Sequence, residues 1–291
     1  MKPSHIQPVI KWTGSKRTIA PFVGSLIPYT PRAFEPFIGG GAILPFHKAP
    51  YITAGDVIPE LIALWVLIKE SPEEVAEGYK ERWERLQSEG YTAYYAIRNS
   101  FNETRNPVDL LFLSRTCVNG LIRFNSNGDF NNSLHHTRPG ILPSRLKQII
   151  VQWSGWLTNV RFVHSDYRHT LLAARPGDFV FLDPPYAGTV GRYMPQEFDL
   201  LAFYAELERL NSLGVKWVVT LDGAAGGRQY ESGIPDGLYL DRMLIPTGNS
   251  PFTKLMGTSI DAVYESVYLN FQAPLEDLAD QFKDWGQISR F

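Results

Sequence analysis

Residues 179–188 read FVFLDPPYAG: four apolar residues, an acid, two prolines and a tyrosine. An unbroken apolar tetrad marks a strand buried on both faces, as in a parallel sheet covered by helices. At its end Pro184 and Pro185 lock φ and remove two N–H donors, so the backbone presents carbonyl oxygens. Asp183 adds a carboxylate and Tyr186 a flat ring at the same place. A cluster of acceptors beside a ring suits a planar ligand that only donates, such as the exocyclic amine of an aromatic base.

The neighbouring segments supply the rest of the sheet. AFEPFI (33–38), YITA (51–54), VRFVHSD (160–166), VKWVVTLD (215–222) and YESVYLNF (264–271) read as short strands. PELIALWVLIKE (59–70), SRLKQIIVQWSGWL (144–157) and PQEFDLLAFYAELERLNSLG (195–214) read as helices. Ser71, Pro72 and Glu74 form a capping box ahead of a helix whose Val75, Tyr79, Trp83 and Leu86 share one face. Strands alternating with helices predict an α/β, doubly wound sheet with ligands at the carboxyl ends of its strands. The helix-rich stretch 58–150 interrupts that alternation and reads as an insertion into a core domain of 1–57 and 151–291. Within it NSNGDFNNS (125–133) is turn chemistry for a hairpin or ordered loop. GAAGGRQYESG (223–233) and PTGNSPFTKLMGTS (246–259) read as loops.

FEPFIGGG (34–41) has the physics of a cofactor loop, since Gly39, Gly40 and Gly41 let backbone approach a ligand closely. Asp56 ends the next strand, where an acid can bind both hydroxyls of a ribose. The spacing is not GxGxxG and no phosphate nest follows, so a nucleoside lacking pyrophosphate fits better than NAD. That disfavours a nucleotide-dependent oxidoreductase.

With 44% hydrophobic and 20% charged residues the chain can bury a core. Its net charge of −2 excludes a uniformly basic nucleic-acid coat. A local basic face survives: Arg115, Arg123, Arg138, Arg145 and Lys147 stand against Asp129 alone between residues 114 and 148. The single cysteine, Cys117, cannot form an internal disulfide. No apolar run reaches the roughly 18 residues needed to span a bilayer. A soluble, cytoplasmic protein with no membrane partner is the expectation, and His135 and His136 with one cysteine do not make a metal site.

DPPY after an apolar strand, FEPFIGGG before it and VIKWTGSKR (9–17) near the N-terminus together resemble the D12-class, Dam-like DNA N6-adenine methyltransferases. FLSRTCVNGLIRFNSNGDFNN (112–132) is similar to that family's target-recognition hairpin. The resemblance implies a Rossmann-like methyltransferase sheet carrying a helix-rich recognition insertion, S-adenosyl-L-methionine as cofactor and double-stranded DNA as substrate. It implies Asp183, Pro184, Pro185 and Tyr186 as the catalytic set acting on a flipped-out adenine. It places Lys11, Trp12, Glu35, Phe37, Gly39, Gly41, Asp56, Asp166, Tyr167 and Asp183 around the cofactor. For DNA it implies Lys16, Arg115, Asn119, Leu121, Arg123, Asn125, Asn131 and Arg138, with Lys16 and Arg17 open between a phosphate and the donor's carboxylate.

Implied with these are a restriction endonuclease as cognate partner or a solitary, phage-borne role, and a monomer or weak dimer in a bacterial, archaeal or phage-infected cell. Val118 stands where family members acting on GATC commonly carry an aromatic residue, and Thr116 and Cys117 also depart from the pattern, so GATC is not implied. An enzyme acting on RNA adenine or a glutamine amide, and a catalytically silent DNA-binding protein, are the competing readings. The basic insert, Asp183 and Tyr186 argue against them.

Overall fold

The computed structural model describes residues 6–137, 139–185, 198–225, 228–229, 233–249, 262–273 and 289–290. Among them, seven strands of four or more residues form one sheet: β1 (Arg32–Glu35), β2 (Tyr51–Asp56), β3 (Val160–His164), β4 (Phe179–Leu182), β5 (Lys216–Ala225), β7 (Asp241–Asn249) and β8 (Ala262–Leu269). Two-residue strands β6 (Arg228–Gln229) and β9 (Ser289–Arg290) pair with β5 and β7. The order is β3-β2-β1-β4-β5-β8-β7-β9. β3, β2, β1, β4 and β5 run parallel, and β8 enters antiparallel between β5 and β7. This is the Rossmann-like, doubly wound arrangement expected from the sequence.

The apolar tetrad behaves as its composition requires. Phe179 and Phe181 enter the hydrophobic cluster on one face, Val180 and Leu182 the cluster on the other, and all four are buried. Ala33 and Phe34 of β1 divide in the same way. A fork–fork pair fixes the entry to these strands: Arg32 Nε and Nη2 donate to Asp178 Oδ1 at 3.1 Å and Oδ2 at 2.5 Å.

The first face carries α1 (Ala20–Leu26), α2 (Pro59–Glu70), α3 (Pro72–Glu89), α4 (Tyr91–Thr104), α5 (Pro107–Thr116) and α6 (Pro143–Trp156). One continuous cluster of buried apolar side chains runs from Ile52 of the sheet through Leu61 and Trp65 of α2 to Tyr79, Phe112 and Ile150. The insertion is therefore anchored on the sheet. Its hairpin, bridged at Cys117–Leu134 and Phe124–Phe130, tucks Ile122, Phe130 and Leu134 into the same cluster. Asn102 of α4 holds Phe130 by both its N–H and its carbonyl. The opposite face carries α7 (Tyr167–Leu171) and α8 (Leu200–Ser212). No helix among the described residues is long and apolar enough to cross a membrane.

The structure corrects three local readings. β7 was not expected: Pro246 and Gly248 made 246–259 read as loop, yet Pro246–Asn249 ends a strand that shifts register there. Ser71 is the N-cap residue of α3, but its side chain makes no capping bond. Asp166, read as a strand end, caps α7 by accepting from Arg168 N–H at 3.0 Å.

Gly41 sits at φ +67°, and a Cβ there would lie 2.8 Å from Cζ2 of the buried Trp65. Gly41→Ala is therefore expected to lower stability by about 1–3 kcal/mol, through left-handed strain plus the clash. Urea unfolding with an unchanged m-value checks it.

Candidate active site

The strand order reverses between β1 and β4, because the chain winds outward through β2 and β3 and then returns beside β1. A crevice opens at such a switch point, beyond the carboxyl ends of the strands. Here it is a cavity of about 290 Å³ walled by the N-terminal segment Trp12–Lys16, the turn after β1, the end of β2, the start of α7 and the Asp-Pro-Pro segment after β4. Trp12, Glu35, Phe37, Gly39, Asp56, Asp166, Tyr167, Asp183, Pro184 and Pro185, each named in the cofactor or catalytic set above, all line it. Tyr186 lies outside the described residues.

The glycine run is shaped by tryptophans. A Cβ on Gly39 would stand 2.8 Å from Trp12 Nε1, and one on Gly40 2.9 Å from Trp12 Cβ. Trp65 Nε1 donates to the Gly39 carbonyl at 3.0 Å. The glycines thus let Trp12 settle on the turn as a cavity wall. Gly41, expected at the cofactor, instead packs beneath, against Trp65 and Trp153.

Asp56 is turned back on this loop. Its Oδ2 accepts from Gly39 N–H at 3.1 Å and its Oδ1 from Ile58 N–H at 3.2 Å. Burial pushes its carboxyl up to about 6, against the opposing pull of these N–H groups. Glu35, at the end of β1, is 2% exposed, and burial raises its pKa too. His47 Nε2 meets Glu35 Oε2 at 3.0 Å, with the His47 side chain sealed from solvent. Tyr167 stacks on Phe37 with centroids 5.2 Å apart and planes 28° from parallel. Its buried hydroxyl has no partner among the described residues, and burial pushes it up to about 12.

At the mouth, Asp183 Oδ1 accepts from Thr220 Oγ1 at 2.9 Å and meets Lys16 Nζ at 2.9 Å. Lys16 Nζ also lies 3.0 Å from the Gly14 carbonyl and 3.5 Å from Glu265 Oε2. This corrects the DNA-binding reading of Lys16: at 4% exposure it is buried in the cavity wall beside Asp183. Thr220 and Glu265 were not singled out from the sequence. The signal for Glu265 was there, a single acid inside the strand segment YESVY.

The remaining recognition residues divide. Arg115 is a second correction, because its guanidinium turns inward to donate to the carbonyls of Pro8 and Val9 and ties the N-terminal segment to α5. Burial lowers its pKa to about 10. Asn125 is occupied locally: its Oδ1 accepts from the N–H groups of Asn127 and Asp129, each at 2.9 Å. Arg123 stands exposed, with Nε donating to Asn131 Oδ1 at 2.7 Å. Asn119 is exposed at φ 56°, and Leu121 is half-buried with its carbonyl held by Asn132. Lys11 leaves the cofactor set for the hairpin: its stem would lie 2.5 Å from a Cβ on Gly120 (φ +64°). Thr13 Oγ1 donates to the Gly120 carbonyl at 3.2 Å, so the cavity wall and the hairpin are joined. Arg138 lies outside the described residues.

The family profile of the D12 class N6 adenine-specific DNA methyltransferases matches residues 12–218, which hold the cavity and the hairpin. The chain is 33% identical over 196 residues to type II methyltransferase M1.LlaDCHI of Lactococcus lactis subsp. cremoris, covering 62% of this chain and 66% of the relative. It is 29% identical to the retron Ec67 DNA adenine methylase of Escherichia coli, covering 65% and 67%. It is 28% identical to type II methyltransferase M.MjaIII of Methanocaldococcus jannaschii, covering 70% and 81%. The match thus spans about two thirds of the length of the first two relatives. With the profile covering more than half of its length, this chain belongs to the D12 class of N6 adenine-specific DNA methyltransferases.

Proposed function

We propose that this protein transfers a methyl group from S-adenosyl-L-methionine to N6 of an adenine flipped out of double-stranded DNA. The observation that carries the reading is the acceptor cluster Asp183-Pro184-Pro185 at the rim of a nucleoside-sized cavity at the sheet's switch point.

The cavity's chemistry fits the donor. Asp56 at the end of β2 suits ribose hydroxyls, and the Phe37–Tyr167 stack suits an adenine ring. Glu35, Asp56, Asp166, Asp183 and Asp199 line the cavity against Lys16 and Arg168, so a guest of positive charge is favoured. When bound, S-adenosyl-L-methionine supplies an electrophilic methyl whose leaving group is a neutral thioether.

The chain's own residues act on the acceptor base. The N6 lone pair of adenine is delocalised into its ring, which makes the amine a poor nucleophile. Hydrogen bonds from N6 to Asp183 and to the Pro184 carbonyl favour a pyramidal nitrogen and stabilise the positive charge that develops there. One N–C bond forms as the methyl leaves sulfur, and the extra N6 proton passes to solvent. Extrusion of the base costs a few kcal/mol, and stacking on Tyr186 returns about 1–3 kcal/mol.

In this reading residues 58–150 recognise DNA, with Arg123, Asn119 and Asn131 on the hairpin facing the duplex, and 1–57 with 151–291 perform the transfer. Two of the three relatives described above carry the name type II methyltransferase, which supports a role beside a restriction endonuclease acting on the same site.

The decisive experiment maps N6-methyladenine in DNA treated with protein and donor, which reports activity and target sequence together. Asp183→Ala should abolish the product while donor affinity by calorimetry stays within about threefold. Equal loss of both would contradict the assigned role.

Donor affinity should also follow Asp56. As an ionised acceptor above pH 7 it favours hydroxyl donors, and as pH falls through about 6 it takes up a proton. Affinity should drop about tenfold from pH 7 to pH 5, and Asp56→Asn should flatten that slope. The stability linkage of this group runs oppositely. Its raised pKa stabilises the unliganded fold fully below its unfolded value of about 3.8, and that contribution is lost as pH rises through about 6.

Arg123→Ala should weaken binding or relax the sequence read by about 1–3 kcal/mol. Competition binding with single-base variants of the mapped site measures it.

A further inference from the structure

Four segments far apart in sequence meet at Asp183. Lys16, after the N-terminal motif, lays its ammonium 2.9 Å from Asp183 Oδ1, and Thr220 of β5 donates to the same oxygen. Glu35 of β1, backed by His47, repels Asp183 from the cavity side. Behind the ammonium stands Glu265 of β8, with Oε2 3.5 Å from Lys16 Nζ and its side chain 16% exposed. Its backbone pairs with Asp222 of β5 on one side and Ile245 of β7 on the other, so the strand fixes its position.

The charges constrain one another. Glu35 and Asp183 repel one another, and Asp183 needs its negative charge to accept strongly from the amine. Paired with an unopposed buried ammonium, it would spend much of its negative charge on that partner. A second carboxylate on the far side of Lys16 divides the ammonium's field, and it holds the flexible lysine stem where Asp183 needs it.

We propose that Glu265 is a positioning residue for methyl transfer: from β8 it holds Lys16 against Asp183 and shares its charge, so that Asp183 keeps negative charge free for the target amine. The inference rests on the activity proposed above. Glu265 touches neither substrate nor donor in this role and acts through Lys16.

The test compares wild type, Glu265→Gln and Glu265→Asp as full-length protein on a duplex carrying the mapped site, with kcat and KM followed against pH and donor affinity measured by calorimetry without DNA. Glu265→Gln keeps the shape and removes the charge. It should lower kcat at neutral pH by about tenfold or more while both KM values and donor affinity stay within about twofold. The acid limb of kcat should move to lower pH, because an unopposed ammonium keeps Asp183 ionised further down. Glu265→Asp should recover part of the rate. In a Lys16→Met background the Glu265→Gln change should have little further effect, since the two act as one unit.

An active wild type alongside a Glu265→Gln variant with unchanged kcat and acid limb overturns this inference alone. So does a loss of kcat matched by equal loss of donor affinity and melting temperature, which would make Glu265 a structural support. A wild type that leaves every adenine unmodified overturns the activity reading, and this inference with it.

Discussion

The pairing of Ala33 with Phe179 and Phe34 with Val180 brings β1 and β4 side by side although more than half the described chain lies between them and the helix-rich insertion loops out from the connection. Everything chemical in the molecule depends on that adjacency. It sets Glu35 and Asp183 at one end of the sheet and opens the crevice between them. The pairing is held by apolar burial on both faces and by the Arg32–Asp178 fork at the opposite end, away from the cavity. Burial of four apolar side chains in β4 alone is worth several kcal/mol at about 1.5–3 kcal/mol each. That is enough to hold a cluster of like charges at the strand ends, where electrostatics opposes folding. Glu35 and Asp56, whose carboxyls burial pushes upward, are the measure of that opposition.

The N-terminal segment has two duties at once. Trp12 lies on the glycine turn and walls the cavity, and Lys16 reaches Asp183. Thr13 and the stem of Lys11 rest on Gly120 of the hairpin, and Arg115 of α5 grips the carbonyls just before. Cavity and hairpin thus share one strap of backbone. Displacement of the hairpin would be felt first at Lys11 and Thr13, the chain neighbours of Trp12.

Much of this organisation was legible in the residues. FVFL has the apolar continuity of a strand buried on both faces, AFE and KWVV carry shorter apolar runs beside one charge, and each lies in a strand. The acceptor cluster, the acid ending β2 and the aromatic at position 167 meet in one cavity because a doubly wound sheet collects strand ends on one side. β7 was illegible for a local reason. Pro246 and Gly248 are loop residues by propensity, and only pairing with β8 across a register shift overrides them. Ser71 marks the start of α3 by sequence, yet its hydroxyl makes no cap, because position and hydrogen bond are separate facts.

What the sequence determined by itself is the alternation of elements, the sheet class and the kind of chemistry, since these follow from periodicity and from which groups can only accept. Tertiary structure decided the partners of the charges. Lys16 and Arg115 looked like surface cations for DNA, and both turn inward, one to two carboxylates and the other to two carbonyls. Glu265 was not singled out in the sequence, and the fold makes it the third member of the Asp183–Lys16 pair. The reason is physical: an ionic contact depends on distance and burial, and neither is written in the order of residues when the partners come from opposite ends of the chain.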